Sequence, residues 1–406
     1  MTQKLRSLSV VLLSVVIGCG ADGSTPPPAV RPGIDVLLTD SLHLVRGRRV
    51  GILTNQTGVN RAGKGDLDLL RAAGIRLTAI FSPEHGFRGN LDRENIGNAV
   101  DSATGVPIFS LYGAVRAPTK EMLAGLDVLL IDLQDIGARP YTYISTTLLA
   151  LRAAGAAQRR AIVLDRPNPI GGELVQGPVL DPELGSFVGM LPVPLRHGLT
   201  LGELARFGND VLGIHADLVI VPVAGWRRRD WFEAVGLPWV PPSPNMPSLE
   251  SAAHYPGLVL LEGTNLSVGR GTPIAFQVVA APWFDPGRIP DRISGVPGVE
   301  LIDTVIVPQS PGDGKYDGEE IPAVRLHVTR REVYDPTHLA IALLSALQSL
   351  NHDSLKINAR AFDERAGTER VRLGLERDYT PNRIWNDWRA DLDFFVSTRE
   401  KYLLYH

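Results

Sequence analysis

The chain has 406 residues, 44% of them hydrophobic and 21% charged, with a formal net charge of −3 at pH 7. That length supplies core material for two or three domains, and the absence of a basic stripe excludes nucleic acid as an expected partner. A single cysteine, Cys19, excludes a disulfide within the chain, so stability has to come from packing.

In chain order, residues 1–18 read as a lipoprotein signal peptide. Lys4 and Arg6 precede a mostly apolar run, Leu8 to Ile17, that is too short to span a bilayer. Val16-Ile17-Gly18-Cys19 is similar to the bacterial lipobox, which makes Cys19 the expected lipidation site and a membrane the expected partner through that anchor. Residues 19–33, with Pro26-Pro27-Pro28, read as a solvated tether. By resemblance to Gram-negative lipoprotein sorting, Gly20 after the lipidated cysteine implies a periplasm-facing envelope location, leaning to the outer membrane.

Strand and helix signals then alternate. Arg49–Thr54 reads as a buried strand running into Asn55-Gln56-Thr57-Gly58; Asp66–Ala73 reads as a short helix closed by Gly74. Arg76–Phe81 is the next strand and leads into Ser82-Pro83-Glu84-His85-Gly86. Val106–Leu111 and Asp127–Leu133 are further strands, with a helix over Lys120–Leu126 between them. Ser145–Gln158 is an Ala- and Leu-rich helix, Ala161–Leu164 a strand, Leu201–Val211 a helix capped by Thr200 with Glu203, and Asp217–Val223 another strand. The repeated β-loop-α order predicts a mostly parallel α/β sheet with helices on both faces. From about Ser248 the pattern shifts to strand signals at Gly257–Leu261, Ile274–Ala280 and Val324–Val328, with one helix over Pro336–Leu350. This predicts a smaller α+β domain over residues 248–406, after a larger one over 34–247.

Right-handed crossovers place successive strand ends on one edge of such a sheet, where ligands bind. Those ends carry Asn55-Gln56, Glu84-His85, Gln134-Asp135 with Arg139 and Tyr141, and Asp165-Arg166 with Asn168. Each residue has a structural alternative, an ion pair or a local cap; the cluster as a whole reads as a site. No G-x-G-x-x-G follows the first strand, and G-x-x-x-x-G-K-[ST], G-x-S-x-G and H-E-x-x-H are absent, so no cofactor and no metal is expected. Carboxylate chemistry remains. Glu84, after Pro83 and between Phe81 and Phe87, is the candidate general acid for glycoside hydrolysis, with pairing to Arg88 or capping of the next helix as its alternatives. Further candidate contacts are His197 before a helix, Asn245 in the rigid loop Pro242–Pro247, and Arg270, whose planar fork suits a ligand carboxylate. Trp226, Trp231 and Trp239 are sugar-stacking candidates for which core packing is favoured.

These residues fall in an ordered series. It consists of TNQTG at Thr54–Gly58, FSPEHGFRG at Phe81–Gly89, SLYG at Ser110–Gly113, DLQDIGARPYTYIST at Asp132–Thr146, LDRPNPIGG at Leu164–Gly172, RHGLTLGELA at Arg196–Ala205, PSPNMPS at Pro242–Ser248 and EGTNLSVGRGT at Glu262–Thr272. The series resembles the bacterial exo-β-N-acetylmuramidase family, the NamZ-type glycoside hydrolases, over about Ile34–His406. The resemblance implies a Rossmann-like catalytic domain, a smaller C-terminal domain with a cleft between them, and release of N-acetylmuramic acid from the non-reducing end of peptidoglycan fragments. It places the family's PEHG glutamate on Glu84. Many members carry Glu before Gly-Pro where this chain has Gln176; the implied catalytic partner is then Asp135, Glu262 or a held water. Two other readings stay open here: a non-catalytic binder of cell-wall fragments, and a glycosidase for another amino sugar.

Overall fold

The computed structural model describes residues 29–92, 96–293 and 295–406. The signal peptide and Cys19 lie outside these residues. The end of the expected tether lies inside them and is packed. Val30 is buried, Arg31 pairs by backbone with Ala224, and the Gly33 N–H donates to the Asp165 carbonyl at 2.8 Å.

The central sheet has seven strands: β1 (Arg49–Thr54), β2 (Arg76–Ser82), β3 (Ala99–Val100), β4 (Pro107–Ser110), β5 (Val128–Asp132), β6 (Arg160–Leu164) and, after a two-stranded ribbon of β7 (Gln176–Val179) and β8 (Pro194–Arg196), β9 (Leu218–Val221). Their spatial order is β3-β4-β2-β1-β5-β6-β9, and every pairing is parallel except that of the edge strand β3. The chain winds outward from β1 through β2 to β4, then returns to place β5 on the other side of β1. That reversal opens a crevice at the carboxyl ends of the strands.

Period-two alternation sorts the side chains. Val128 and Leu130 of β5 face one apolar layer with Ile52 and Ile162, under helix Gly33–Asp40; Leu129 and Ile131 face the other, under helices Tyr143–Ala156 and Leu201–Val211. The expected capping box forms: Thr200 Oγ1 accepts from the Glu203 N–H, and Glu203 Oε2 accepts from the Thr200 N–H.

The second part holds a three-stranded antiparallel sheet, β10 (Val278–Ala280), β12 (Ile321–Val328) and β11 (Val299–Ile306), with β12 central. Around it pack helices Leu249–Leu258 and Pro336–Asn351, then four short helices between Ala359 and Arg399. Gly257–Leu261 is not the expected strand. It continues helix Leu249–Leu258 and passes into a 3-10 turn, Val259–Gly263, because this apolar run is buried on every side and its pattern does not separate helix from strand. One apolar core runs unbroken from the main sheet into this part. The tail returns to the first part, where Tyr405 Oη donates to Asp165 Oδ2 at 2.5 Å.

Candidate active site

The Glu84 loop is built by its backbone. Pro83 stops β2, and His85 takes a left-handed conformation (φ 68°) held by its Nδ1 at 2.8 Å from the Leu91 carbonyl oxygen. Gly89 (φ 65°) is required by a close approach: a Cβ there would lie 1.9 Å from the Gln56 side-chain amide. Gln56 in turn donates to the Pro241 carbonyl at 2.8 Å. The end of β1 is thus a prop under the Glu84 loop.

Glu84 opens into a cavity of about 420 Å³. Its floor comes from the loops after β2, β4 and β5, including Tyr112, Arg116, Tyr141 and Thr142. Ser243, Asn245 and Met246 line one side. The second part closes the far side with Tyr255, Glu262, Arg270, Phe276 and, from helix Ala359–Ala366, Arg360, Glu364 and Arg365. An aromatic wall crosses between the two parts. Tyr143 meets Tyr141 at 4.9 Å between ring centroids, Tyr141 meets Tyr255 at 5.9 Å, and Tyr255 meets Phe276 at 4.7 Å, with the Arg270 guanidinium 5.4 Å from the Phe276 ring centre. Burial raises the Tyr141, Tyr143 and Tyr255 phenols above their usual range, so they remain neutral.

The cavity carboxylates differ in their partners. Burial would raise Glu262, but Arg270 and Arg365 outweigh it and hold the carboxyl below its ordinary value. Arg270 Nε donates to Glu262 Oε1 at 2.6 Å, and Arg365 Nε lies 3.4 Å from Oε2. Asp92 accepts from Asn245 Nδ2 at 2.8 Å and faces Arg270 at 3.9 Å; Glu364 pairs with Arg360 at 2.8 Å. Among the described residues, Glu84 alone of the four has no cation; its Oε2 accepts from the Thr142 hydroxyl at 2.5 Å.

Six of the expected site residues meet here: Glu84, His85, Tyr141, Asn245, Glu262 and Arg270. The others do not line this cavity. Asn55 is buried and donates to Tyr143 Oη at 2.7 Å, while Gln56 is the prop just described. Asp135, expected as a catalytic partner, is buried behind the loop; it accepts from the Gly137 N–H at 2.7 Å and faces His197 Nε2 at 3.6 Å. His197 is itself fully buried, and its Nδ1 accepts from the Leu199 N–H at 3.1 Å. Arg139 donates to the Pro178, Val193 and Arg365 carbonyls, bracing the helix that carries Arg365, and burial brings its guanidinium down to about 9. Asp165 accepts from Thr200, Gly202 and Tyr405, with burial pushing it to about 6. Arg166 pairs with Asp132 and donates to the Val59 carbonyl at 2.9 Å. Loops at strand ends carry many unpaired backbone groups, and these polar side chains satisfy them or each other.

Gln176 is also remote from the cavity. Its Nε2 donates to the Tyr334 carbonyl at 3.0 Å and its Oε1 accepts from Arg196 at 2.9 Å, so an amide here withholds no charge from the site. Trp226 is buried, and Trp231 and Trp239 are half-buried against the core, so core packing is what the three do, as favoured. The sequence reading missed Thr142, Tyr255, Arg116 and Arg365. Thr142 and Tyr141 share one motif, which was the available signal; Arg365 sits on a short charged helix that carries none.

A cleft at the carboxyl edge of a doubly wound sheet, walled by tyrosines, holds one carboxylate with no cation beside it among the described residues and another clamped by arginines, an arrangement that suits glycoside hydrolysis by a two-part α/β enzyme. The chain belongs to the exo-β-N-acetylmuramidase NamZ family: the N-terminal family model matches residues 50–250 and the C-terminal model residues 253–405. It is 39% identical to the peptidoglycan β-N-acetylmuramidase NamZ of Bacillus subtilis (strain 168) over 383 residues, 93% of this chain and 92% of that protein. A crystal structure of a DUF1343 family protein from Bacteroides fragilis NCTC 9343 matches with a TM-score of 0.86 at 34% identity, covering 94% of this chain and 100% of that one. A second from the same organism gives 0.73 at 30%, covering 93% and 99%.

Proposed function

We infer that this chain is an exo-acting glycoside hydrolase that releases N-acetylmuramic acid from the non-reducing end of peptidoglycan fragments. Family membership supports the reaction. The observation that carries the residue assignment is Glu84, the one cavity carboxylate with no cation beside it among the described residues. Cleavage needs a proton on the leaving oxygen, and a carboxyl pinned between two guanidiniums carries one only at low pH. Glu84 is therefore the general acid. Glu262 instead orients Arg270 and Arg365, whose remaining N–H groups take the lactyl carboxylate of the muramic acid. The aromatic wall takes the apolar face of the sugar, and closure of the cavity by the second part suits a chain end. We further propose a lipid anchor on Cys19 that holds the enzyme in the envelope beside its substrate. Gln176, which bears on no cavity group, lends no support to a non-catalytic binding protein.

The test is turnover of a chromogenic β-N-acetylmuramoside and the matching N-acetylglucosaminide by the chain lacking its signal peptide, with Glu84→Gln as control. Turnover of the muramoside alone, lost in Glu84→Gln with the fold intact, is the expected result. Turnover of the glucosaminide alone would change the substrate, and no turnover of either would overturn the reading.

A further inference from the structure

We propose that Thr142 is the positioning residue of the general acid: its hydroxyl holds Glu84 Oε2, so that the catalytic proton resides on Oε1. This inference rests on the assignment of Glu84 above. Thr142 immediately precedes helix Tyr143–Ala156, where a Thr hydroxyl ordinarily accepts a hydrogen bond from its own helix. Elsewhere in this chain that happens: Thr119, Thr200, Ser248 and Thr380 each cap their helices in that way. Thr142 makes no such bond. Its backbone is already helical (φ −68°, ψ −10°), whereas Thr200 is extended (φ −80°, ψ 167°). The chain therefore enters this helix with the hydroxyl turned away from the helix's N–H groups, and it donates to Glu84 Oε2 at 2.5 Å.

A hydroxyl has one hydrogen. While it is given to Oε2, that oxygen is the acceptor of the pair and the acid proton of Glu84 is carried by Oε1. In the reaction the Oε1 proton passes to the glycosidic oxygen, and the electron pair of the C1–O bond goes to that oxygen. The leaving sugar departs as an alcohol. Water supplies the hydroxyl at C1, and its second proton returns to Glu84. The carboxylate that exists in between lies at the start of a 14-residue helix with no acidic side chain in its first turn.

The experiment uses the full chain and its variants Thr142→Val, which keeps shape and loses the hydroxyl, and Thr142→Ser, which keeps the hydroxyl. Two substrates are compared: the disaccharide of N-acetylmuramic acid and N-acetylglucosamine, a poor leaving group, and a dinitrophenyl muramoside, which leaves without protonation. For Thr142→Val we expect kcat on the disaccharide to fall about 10–100-fold, with less than about a threefold change on the aryl substrate and little change in KM. Thr142→Ser restores the disaccharide rate. Equal losses on both substrates with a lowered melting temperature would show a structural role and overturn the proposal, as would a Thr142→Val enzyme that behaves like wild type. Glu84→Ala is run alongside. If it shows the leaving-group dependence and Thr142→Val does not, this inference alone fails; if the wild type cleaves neither substrate, the parent assignment fails with it.

Discussion

Glu262→Gln separates two roles for one carboxylate. Glu262 is 9% exposed, and the arginines that clamp it are 21% and 26% exposed. Removing one partner of a fully buried pair costs about 3–5 kcal/mol. The amide keeps one acceptor oxygen and both arginines reach solvent, so we expect a loss of about 2–3 kcal/mol here. Urea unfolding reads it as a lower midpoint at constant slope. The sign of its pH dependence follows from the direction of the shift. The folded carboxyl titrates below its ordinary 4.5, so the clamp's contribution is present above that value and disappears as pH falls through the folded pKa. The gap between wild type and variant therefore closes in acid. In kinetics, loosening the arginines should raise KM about tenfold, equivalent to roughly 1.4 kcal/mol of lost carboxylate recognition, with kcat changed far less. A kcat that collapses at constant KM, and is rescued by azide, would refute this account and make Glu262 a reacting group.

Three further outcomes are expected. Gly137 has φ 83°, and a Cβ there would lie 2.5 Å from Asn168 Oδ1; Gly137→Ala should lose about 2–4 kcal/mol in denaturant titration. Burial holds His254, beside Tyr334, down to about 4 from 6.5, so its contribution to stability is full above pH 6.5 and lost as pH falls towards 4. Against His254→Asn, the wild type should lose about a factor of ten in folding equilibrium per pH unit across that window. Pairing with a variant is needed because Asp165, raised to about 6, acts with the opposite sign between 3.8 and 6; a gap that is flat with pH would refute the assignment to His254. Gln176→Glu should leave kcat within about threefold, because the side chain contacts Arg196 and the Tyr334 carbonyl rather than the cavity; a large gain in kcat would mean that the side chain reaches the chemistry.

Period and punctuation carry through to the fold. The apolar strand run in Asp127–Leu133, the Thr200–Glu203 capping box and the Gly74 stop all appear in the structure because each depends on neighbours in the chain. The helical identity of Gly257–Leu261 does not depend on neighbours; its apolar residues have meaning only against partners far away in sequence. The same division runs through the site. Glu84 was legible because Pro, Gly and Gly around an acid, a strand's end behind it and the motif series all point one way. Asp135, Arg139, Asp165, Arg166 and His197 present the same kind of signal, yet they bond to carbonyls, hydroxyls and one another behind the loops. Residue type and spacing specify which groups can do chemistry at a sheet edge. Which of them face the cavity follows from where the second part closes over it and from which loop groups still lack a partner once the chain has packed, and both are set by contacts hundreds of residues apart.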